Sequence, residues 1–279
     1  MIKRILIPLD SSSYTDTAID LGCDFARRHD AELTGLVILD IPGIEKTVRP
    51  IPLGGVHSVD VLEKSIREEA KIHIKKVLDR FKEKCRKANV RHRQAERQGS
   101  PSERIIRESM FYDFVVIGLR TYYHFKADSP GDSLEHIMDH ATTPLYAVPE
   151  HASIPDDGKI KVLTAFNGCL PSARALHWLA RMAFPETTEV TVLMSDPDKE
   201  ISRYYLDQAE AYLNAHSMTK VNKEWTTQSI IDAVNAQYLD WADMVVLGAH
   251  CKKRMMDFML GSLAKHLIDE AKKPLIIGL

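Results

Sequence analysis

Two kinds of hydrophobic pattern alternate along this chain. Short unbroken apolar runs, such as Ile5-Leu6-Ile7, Val115-Val116-Ile117 and Val245-Val246-Leu247, are separated by longer stretches with apolar residues at helical spacing. A run without intervening polar residues marks a strand buried on both faces, as in parallel sheets covered by helices. Strands are predicted over 3–9, 32–39, 90–97, 113–118 and 144–148, then over 160–166, 189–194, 220–225, 243–248 and 274–278. Helices are predicted over 14–29, 60–88, 102–110 and 132–140, then over 171–183, 199–216, 228–239 and 262–271. Alternating strand and helix builds a doubly wound α/β sheet through right-handed crossovers. The Pro- and Gly-containing stretch Ile41–Ser58 has no counterpart in the second half. It reads as an irregular insertion, either a lid or a packing arm.

The same pattern occurs twice. Arg4–Ala18 (RILIPLDSSSYTDTA) aligns with Lys161–Ala175 (KVLTAFNGCLPSARA), which puts Asp10 opposite Asn167. Tyr112–Gly118 (YDFVVIG) aligns with Ala242–Gly248 (ADMVVLG). Each of these is followed by a polar loop, a glycine (Gly131, Gly261), a helical stretch and a strand led by Pro144 or Pro274. Landmarks matching in order at both ends indicate a duplicated unit. A Pro/Gly/Asp-rich linker lies near 150–159, so the expected domains are 1–150 and 159–279.

Length agrees with that division, since 279 residues suit two domains of about 130–150 residues. A formal charge of −2 gives no global pull toward nucleic acid or an acidic membrane surface. No apolar run approaches the roughly 20 residues of a membrane helix, and the N-terminal segment lacks the pattern of a secretory signal. The four cysteines, Cys23, Cys85, Cys169 and Cys251, form no C-x-x-C pair. A reducing cytoplasm is the expected compartment.

Open parallel sheets bind ligands beyond the carboxyl ends of their strands. In the second half, Gly248-Ala-His-Cys251, nine residues and then Gly261-Ser262 follow a strand and open a helix. Glycines admit backbone N–H groups to an anion, and a helix N-terminus adds partial positive charge. Ser262 either caps that helix or donates its hydroxyl to a phosphate.

These residues resemble the nucleotide-binding members of the universal stress protein family, which carry Gly-x2-Gly-x9-Gly-(Ser/Thr) after the fourth strand and an Asp at the end of the first. The similarity spans both halves. Gly248, Gly261 and Ser262 stand at the family spacing, while Cys251 replaces the middle glycine and Asn167 the aspartate. The resemblance implies two five-stranded parallel sheets in the order 3-2-1-4-5, of the adenine nucleotide alpha hydrolase-like type. It implies ATP or a related adenine nucleotide, with Mg, held by Ala165, Asn167, Met194, Gly248, Cys251, Gly261, Ser262 and Leu263. The base would lie near Ala165 and Met194. In the first half Pro8, Asp10, Gly118 and Gly131 fit the pattern, but Thr121 replaces the middle glycine and Asp132 the Ser/Thr. A carboxylate there repels a triphosphate, and Ser133 substitutes only if the loop shifts. The first half is therefore expected to be silent toward ATP. The resemblance also implies pairing of the halves through 144–148 and 274–278 as an internal pseudo-dimer, with a homodimer as a further expectation.

The substitutions open another reading. If strands one and four of the second half are neighbours, Cys169, His250 and Cys251 converge, either as a zinc or redox site or as small apolar fillers. Lys252-Lys253-Arg254 either steers an anion or is exposed loop. The basic stretch Arg80–Arg97 is interrupted by Asp79, Glu83 and Glu96 and reads as a solvated face. His136 and His140, at i and i+4, lack a third ligand and read as surface residues. No Gly-x-Ser-x-Gly elbow or Walker lysine is present. No general base is evident, so slow ATP hydrolysis is the most the pattern allows. The expected function is a stress-associated, nucleotide-responsive binding protein with an unidentified protein partner. The alternatives are a nucleotide-free interaction scaffold, or a metal or thiol sensor built on Cys169, His250 and Cys251.

Overall fold

In a computed structural model, the protein is described over residues 2–48, 56–123, 133–155, 158–249 and 261–279. Gly131, Asp132, His250, Cys251 and the basic triplet 252–254 lie outside these residues. The chain divides into two compact units, Lys3–Ala141 and Thr142–Leu279 with Ile2.

In the first unit, β1 (Arg4–Pro8), α1 (Ser13–His29), β2 (Glu32–Leu39), α2 (Ile41–Val48), α3 (Val56–Lys87), β3 (His92–Gln98), α4 (Pro101–Ser109), β4 (Phe114–Gly118) and α5 (Ser133–His140) follow in order. The strands run β3-β2-β1-β4, all parallel. Every residue of β4 is buried, as the unbroken apolar run requires. β3 is polar along most of its length, the composition that keeps an edge strand from recruiting another.

The segment expected to be an irregular insertion carries helix over Ile41–Val48, and α3 already begins at Val56. Asp40 explains the first of these. Its Oδ1 accepts the Gly43 N–H at 3.0 Å and its carbonyl accepts the Ile44 N–H at 3.1 Å. That is a helix start, and Pro42 is tolerated in a first turn. α3 buries the stripe Ala70, Ile74, Val77, Leu78, Phe81 and Cys85, spaced at three and four residues as a helix on a sheet demands. Its polar flank meets α1 through Arg80–Asp16 at 2.9 Å and Lys84–Asp20 at 2.7 Å.

In the second unit, β5 (Leu145–Val148), β6 (Ile160–Ala165), α6 (Leu170–Met182), β7 (Thr188–Ser195), α7 (Lys199–Ala215), β8 (Val221–Thr226), α8 (Ile230–Ala233), a π-turn over Val234–Tyr238, β9 (Met244–Gly248), α9 (Ser262–Glu270) and β10 (Leu275–Gly278) follow. The strand order is β5-β10-β9-β6-β7-β8. Counted within the repeat, β8-β7-β6-β9-β10 is the 3-2-1-4-5 order, all parallel. β5 joins this unit because it pairs antiparallel with β10, Tyr146 opposite Ile276. The sheet is thus mixed and mostly parallel.

A matched aspartate ties each repeat together. Asp113 Oδ2 accepts the backbone N–H groups of Lys3 and Arg4 at 2.8 and 2.9 Å, and its own N–H donates to the Arg4 carbonyl at 3.0 Å. Asp243 does the same at the start of β9, accepting the Lys161 N–H at 2.8 Å and donating to the Lys161 carbonyl at 2.8 Å. The aspartates of the YDF and ADM landmarks therefore lock the fourth strand of each repeat to its first. Replacing Asp113 by Ala leaves two strand-leading N–H groups without their acceptor. The first unit should lose about 2 kcal/mol of stability, read by urea denaturation.

Candidate functional site

The carboxyl ends of β6 and β9 are neighbours because these strands pair directly. Beyond them lies a cleft of about 350 Å³ lined by Ala165, Phe166, Asn167, Ser195, Ser229, Ile230, Leu247, Gly248, Gly261, Ser262, Leu263 and Ala264. That is at the small end of the range for small-molecule sites, roughly 300–1,000 Å³. None of these lining residues is charged.

Backbone contributes positive charge at one end of the cleft. α9 begins at Ser262 with Gly261 as its N-cap, a residue with no side chain to cap the helix. Ser262, Leu263 and Ala264 make up its first turn and all line the cleft. The first-turn N–H groups of a helix have no intrahelical acceptor, and the helix dipole adds partial positive charge to them. Ser262 is the first helical residue rather than the cap, and it is exposed. α6 differs, because the Cys169 sulfur accepts the Ser172 N–H at 3.4 Å and caps it.

The motif assigns both glycines to phosphate, yet their surroundings separate them. A Cβ on Gly248 would lie 2.6 Å from the Ser172 nitrogen and 2.7 Å from Pro171. Glycine there lets α6 approach the strand. At Gly261 an added Cβ would meet, among the described residues, the Ala249 carbonyl oxygen at 3.3 Å, and the backbone is extended with φ −60° and ψ 141°. Gly261 lines the cleft, and no described residue demands glycine there by packing.

The structure brings Ala165, Asn167, Gly248, Gly261, Ser262 and Leu263 together around this cleft. Met194 is not among the lining residues; it is 2% exposed and sits in the core, and Ser195 lines the cleft instead. Successive strand residues face opposite sides, so a one-residue shift separates core from cleft. Asn167 is exposed, and its Oδ1 accepts the Cys169 N–H at 3.2 Å. Phe166, Ser195, Ser229, Ile230, Leu247 and Ala264 also line the cleft, outside the sequence motif. Phe166, Leu247 and Ala264 adjoin motif residues. Ser229 and Ile230 carry no motif, and only the placement of α8 brings them there.

Cys169 is disulfide-bonded, so its sulfur is not a thiolate ligand in this state. Among the described residues, no three His, Cys, Asp or Glu side chains are grouped to hold a metal. His136 and His140 lie against each other with their rings tilted by 32°, centroids 4.3 Å apart.

The corresponding end of the first unit is built differently. Pro8 and Gly118 end β1 and β4, and Asp10 is 6% exposed. Its Oδ1 accepts the Ser12 N–H at 2.9 Å, the Ser12 hydroxyl at 2.5 Å and the Thr15 hydroxyl at 2.7 Å. Its Oδ2 accepts the Tyr122 N–H at 2.6 Å. Leu119, Thr121 and Tyr123 are buried beside it. Burial and then the Asp10 charge push the Tyr123 phenol well above its ordinary pKa. A Cβ on Gly118 would lie 2.7 Å from that of Tyr14. The chain's own loop occupies this strand end, and Asp10 holds it there. Ser133 opens α5.

Residues 1–149 match the Universal stress protein family. A search of curated proteins finds no match. Among solved structures, a universal stress protein from Archaeoglobus fulgidus is 20% identical, with 98% of this chain and 97% of that chain covered and a TM-score of 0.70. A putative universal stress protein from Pseudomonas aeruginosa is 15% identical, with 99% and 92% covered and a TM-score of 0.54. These likenesses extend the fold over nearly the whole chain, and the family match covers more than half of it. The chain belongs to the universal stress protein family.

Proposed function

We propose that the second repeat binds the phosphate-bearing part of an adenine nucleotide and that the protein is a nucleotide-responsive binding protein rather than a dedicated enzyme. The observation that carries this reading is the glycine-started N-terminus of α9, whose first turn lines the cleft beyond β6 and β9. Backbone N–H groups and the helix dipole stabilise an anion there without a charged side chain. Phe166, Ile230 and Leu247 supply apolar surface for a base or ribose, and the Asn167 amide can hydrogen-bond a sugar hydroxyl. Asn167 brings no negative charge, so it offers a magnesium ion only a neutral ligand.

The closed strand end of the first unit favours a complementary role for that repeat. A ligand there would have to displace the Tyr122 N–H from Asp10. The first repeat serves as a packing and interaction module, the scaffold reading restricted to one unit. The thiol–metal reading has less support, since Cys169 is already disulfide-bonded. Among the described residues no helix is long and apolar enough to cross a membrane.

Thermal shift tests the nucleotide reading. At about 100 times the dissociation constant, ATP with magnesium should raise the melting temperature by roughly 5–10 °C. Gly261→Asp should abolish the shift by placing a carboxylate at the helix start, whereas Gly261→Ala should fold normally and weaken it less. An unchanged shift in Gly261→Asp would remove the site from α9. A zinc-dependent shift lost in Cys251→Ser would instead favour the thiol–metal sensor.

Asp10→Ala should leave the ATP shift intact while costing the first unit about 2 kcal/mol, because it strips the acceptor from one buried and three half-buried donors at once. Urea denaturation with and without nucleotide reads both effects.

A further inference from the structure

Cys23 on α1 and Cys85 on α3 are both free and buried. Their sulfurs lie 3.8 Å apart and share a hydrogen bond, although 62 positions separate them in sequence. The nucleotide cleft makes no use of them, so this site stands independently of the nucleotide reading. Ion pairs beside the cysteines hold α1 and α3 at this point. Lys84, the residue before Cys85, bonds Asp20 at 2.7 Å, three positions before Cys23. One turn earlier on α3, Arg80 bonds Asp16 at 2.9 Å. The two helices are thereby kept in a register that sets thiol against thiol.

The pair is also chemically asymmetric. The hydrogen bond shared with Cys85, aided by Lys84 and Arg27, lowers the Cys23 pKa against burial and the Asp20 charge. The same hydrogen bond and burial push the Cys85 thiol up. Two cations, Lys84 and Arg27, stand near Cys23, which makes it the sulfur to attack and Cys85 the one to resolve, the division of labour in thiol oxidation chemistry.

We propose that Cys23 and Cys85 are an oxidant-reactive dithiol that closes reversibly into a disulfide between α1 and α3 when the protein meets hydrogen peroxide. The Cys23 thiolate attacks one peroxide oxygen. The O–O bond breaks, hydroxide leaves and takes up a proton as water, and Cys23 becomes a sulfenic acid. The Cys85 sulfur then attacks the Cys23 sulfur. The S–S bond forms, the S–O bond breaks, and the departing hydroxide carries off the Cys85 proton as a second water. Two thiols and one peroxide give one disulfide and two waters. The sulfurs close from 3.8 Å to roughly 2 Å, a movement that side-chain rotation and a small slide of the helices supply. The closed link pins α3 to α1 and constrains the unfolded chain across the loop between them.

The test uses full-length protein with Cys169→Ser and Cys251→Ser, so that Cys23 and Cys85 are the remaining thiols. After treatment with hydrogen peroxide, thiols titrated in denaturant should fall from two to none. Proteolytic mapping should find the Cys23 and Cys85 peptides linked within one chain. The melting temperature should rise by roughly 5–10 °C, and dithiothreitol should reverse all three changes. Adding Cys85→Ser should leave Cys23 as a sulfenic acid captured by dimedone. Two thiols surviving peroxide, or a linkage between two chains, would overturn the proposal and leave the pair as buried packing. Should the multiple variants fail to fold, the same peptide mapping on the unsubstituted protein decides, because the linked peptides identify the pair directly.

Discussion

A strand with helices over both of its faces has no side left for water, and this shapes each unit. All residues of β4 and β9 are buried. Polar chemistry is therefore pushed to the strand tips. At the amino ends, Asp113 and Asp243 spend their carboxylates on the backbone of the neighbouring first strand. At the carboxyl ends, loops and helix starts gather, and there the two repeats diverge.

The divergence turns on one carboxylate and one helix start. Asp10 accepts hydrogen bonds from Ser12, Thr15 and Tyr122. A buried carboxylate needs such donors, and in meeting that need it draws its own loop over the strand end. The second repeat has Asn167 at the matching position, exposed and bonded locally to the Cys169 N–H. A neutral amide carries no charge to be neutralised by buried donors. A cleft lies beside it, and the first turn of α9 lines that cleft. A duplicated scaffold can thus specialise its halves by altering who satisfies the polar groups at one tip while leaving the buried strands alone.

The α1–α3 seam of the first unit shows a second use of the same logic. Its core side is an apolar stripe, its rim is a set of ion pairs, and two thiols sit between. Exposed ion pairs contribute little stability, but they fix register, and register decides which buried side chains meet. Cys23 and Cys85 carry no sequence signal that they are partners, since their contact depends on how a long helix lies across another.

The amino-acid sequence by itself determined the repeat, the α/β class and most of the strands and helices. Those follow from local periodicity, which reports burial of each element wherever it is placed. It also marked Ala165, Asn167, Gly248, Gly261, Ser262 and Leu263, which gather at one cleft. Tertiary structure decided the rest. It placed Met194 in the core and Ser195 in the cleft, a parity that depends on strand register. It brought Ser229 and Ile230 across from α8, turned 41–48 into a helix under an Asp40 cap, and closed the first repeat over Asp10. Each of these depends on contacts between residues distant in the chain, or on a cap that competes with the turn propensity of Pro and Gly, and no local pattern carries that information.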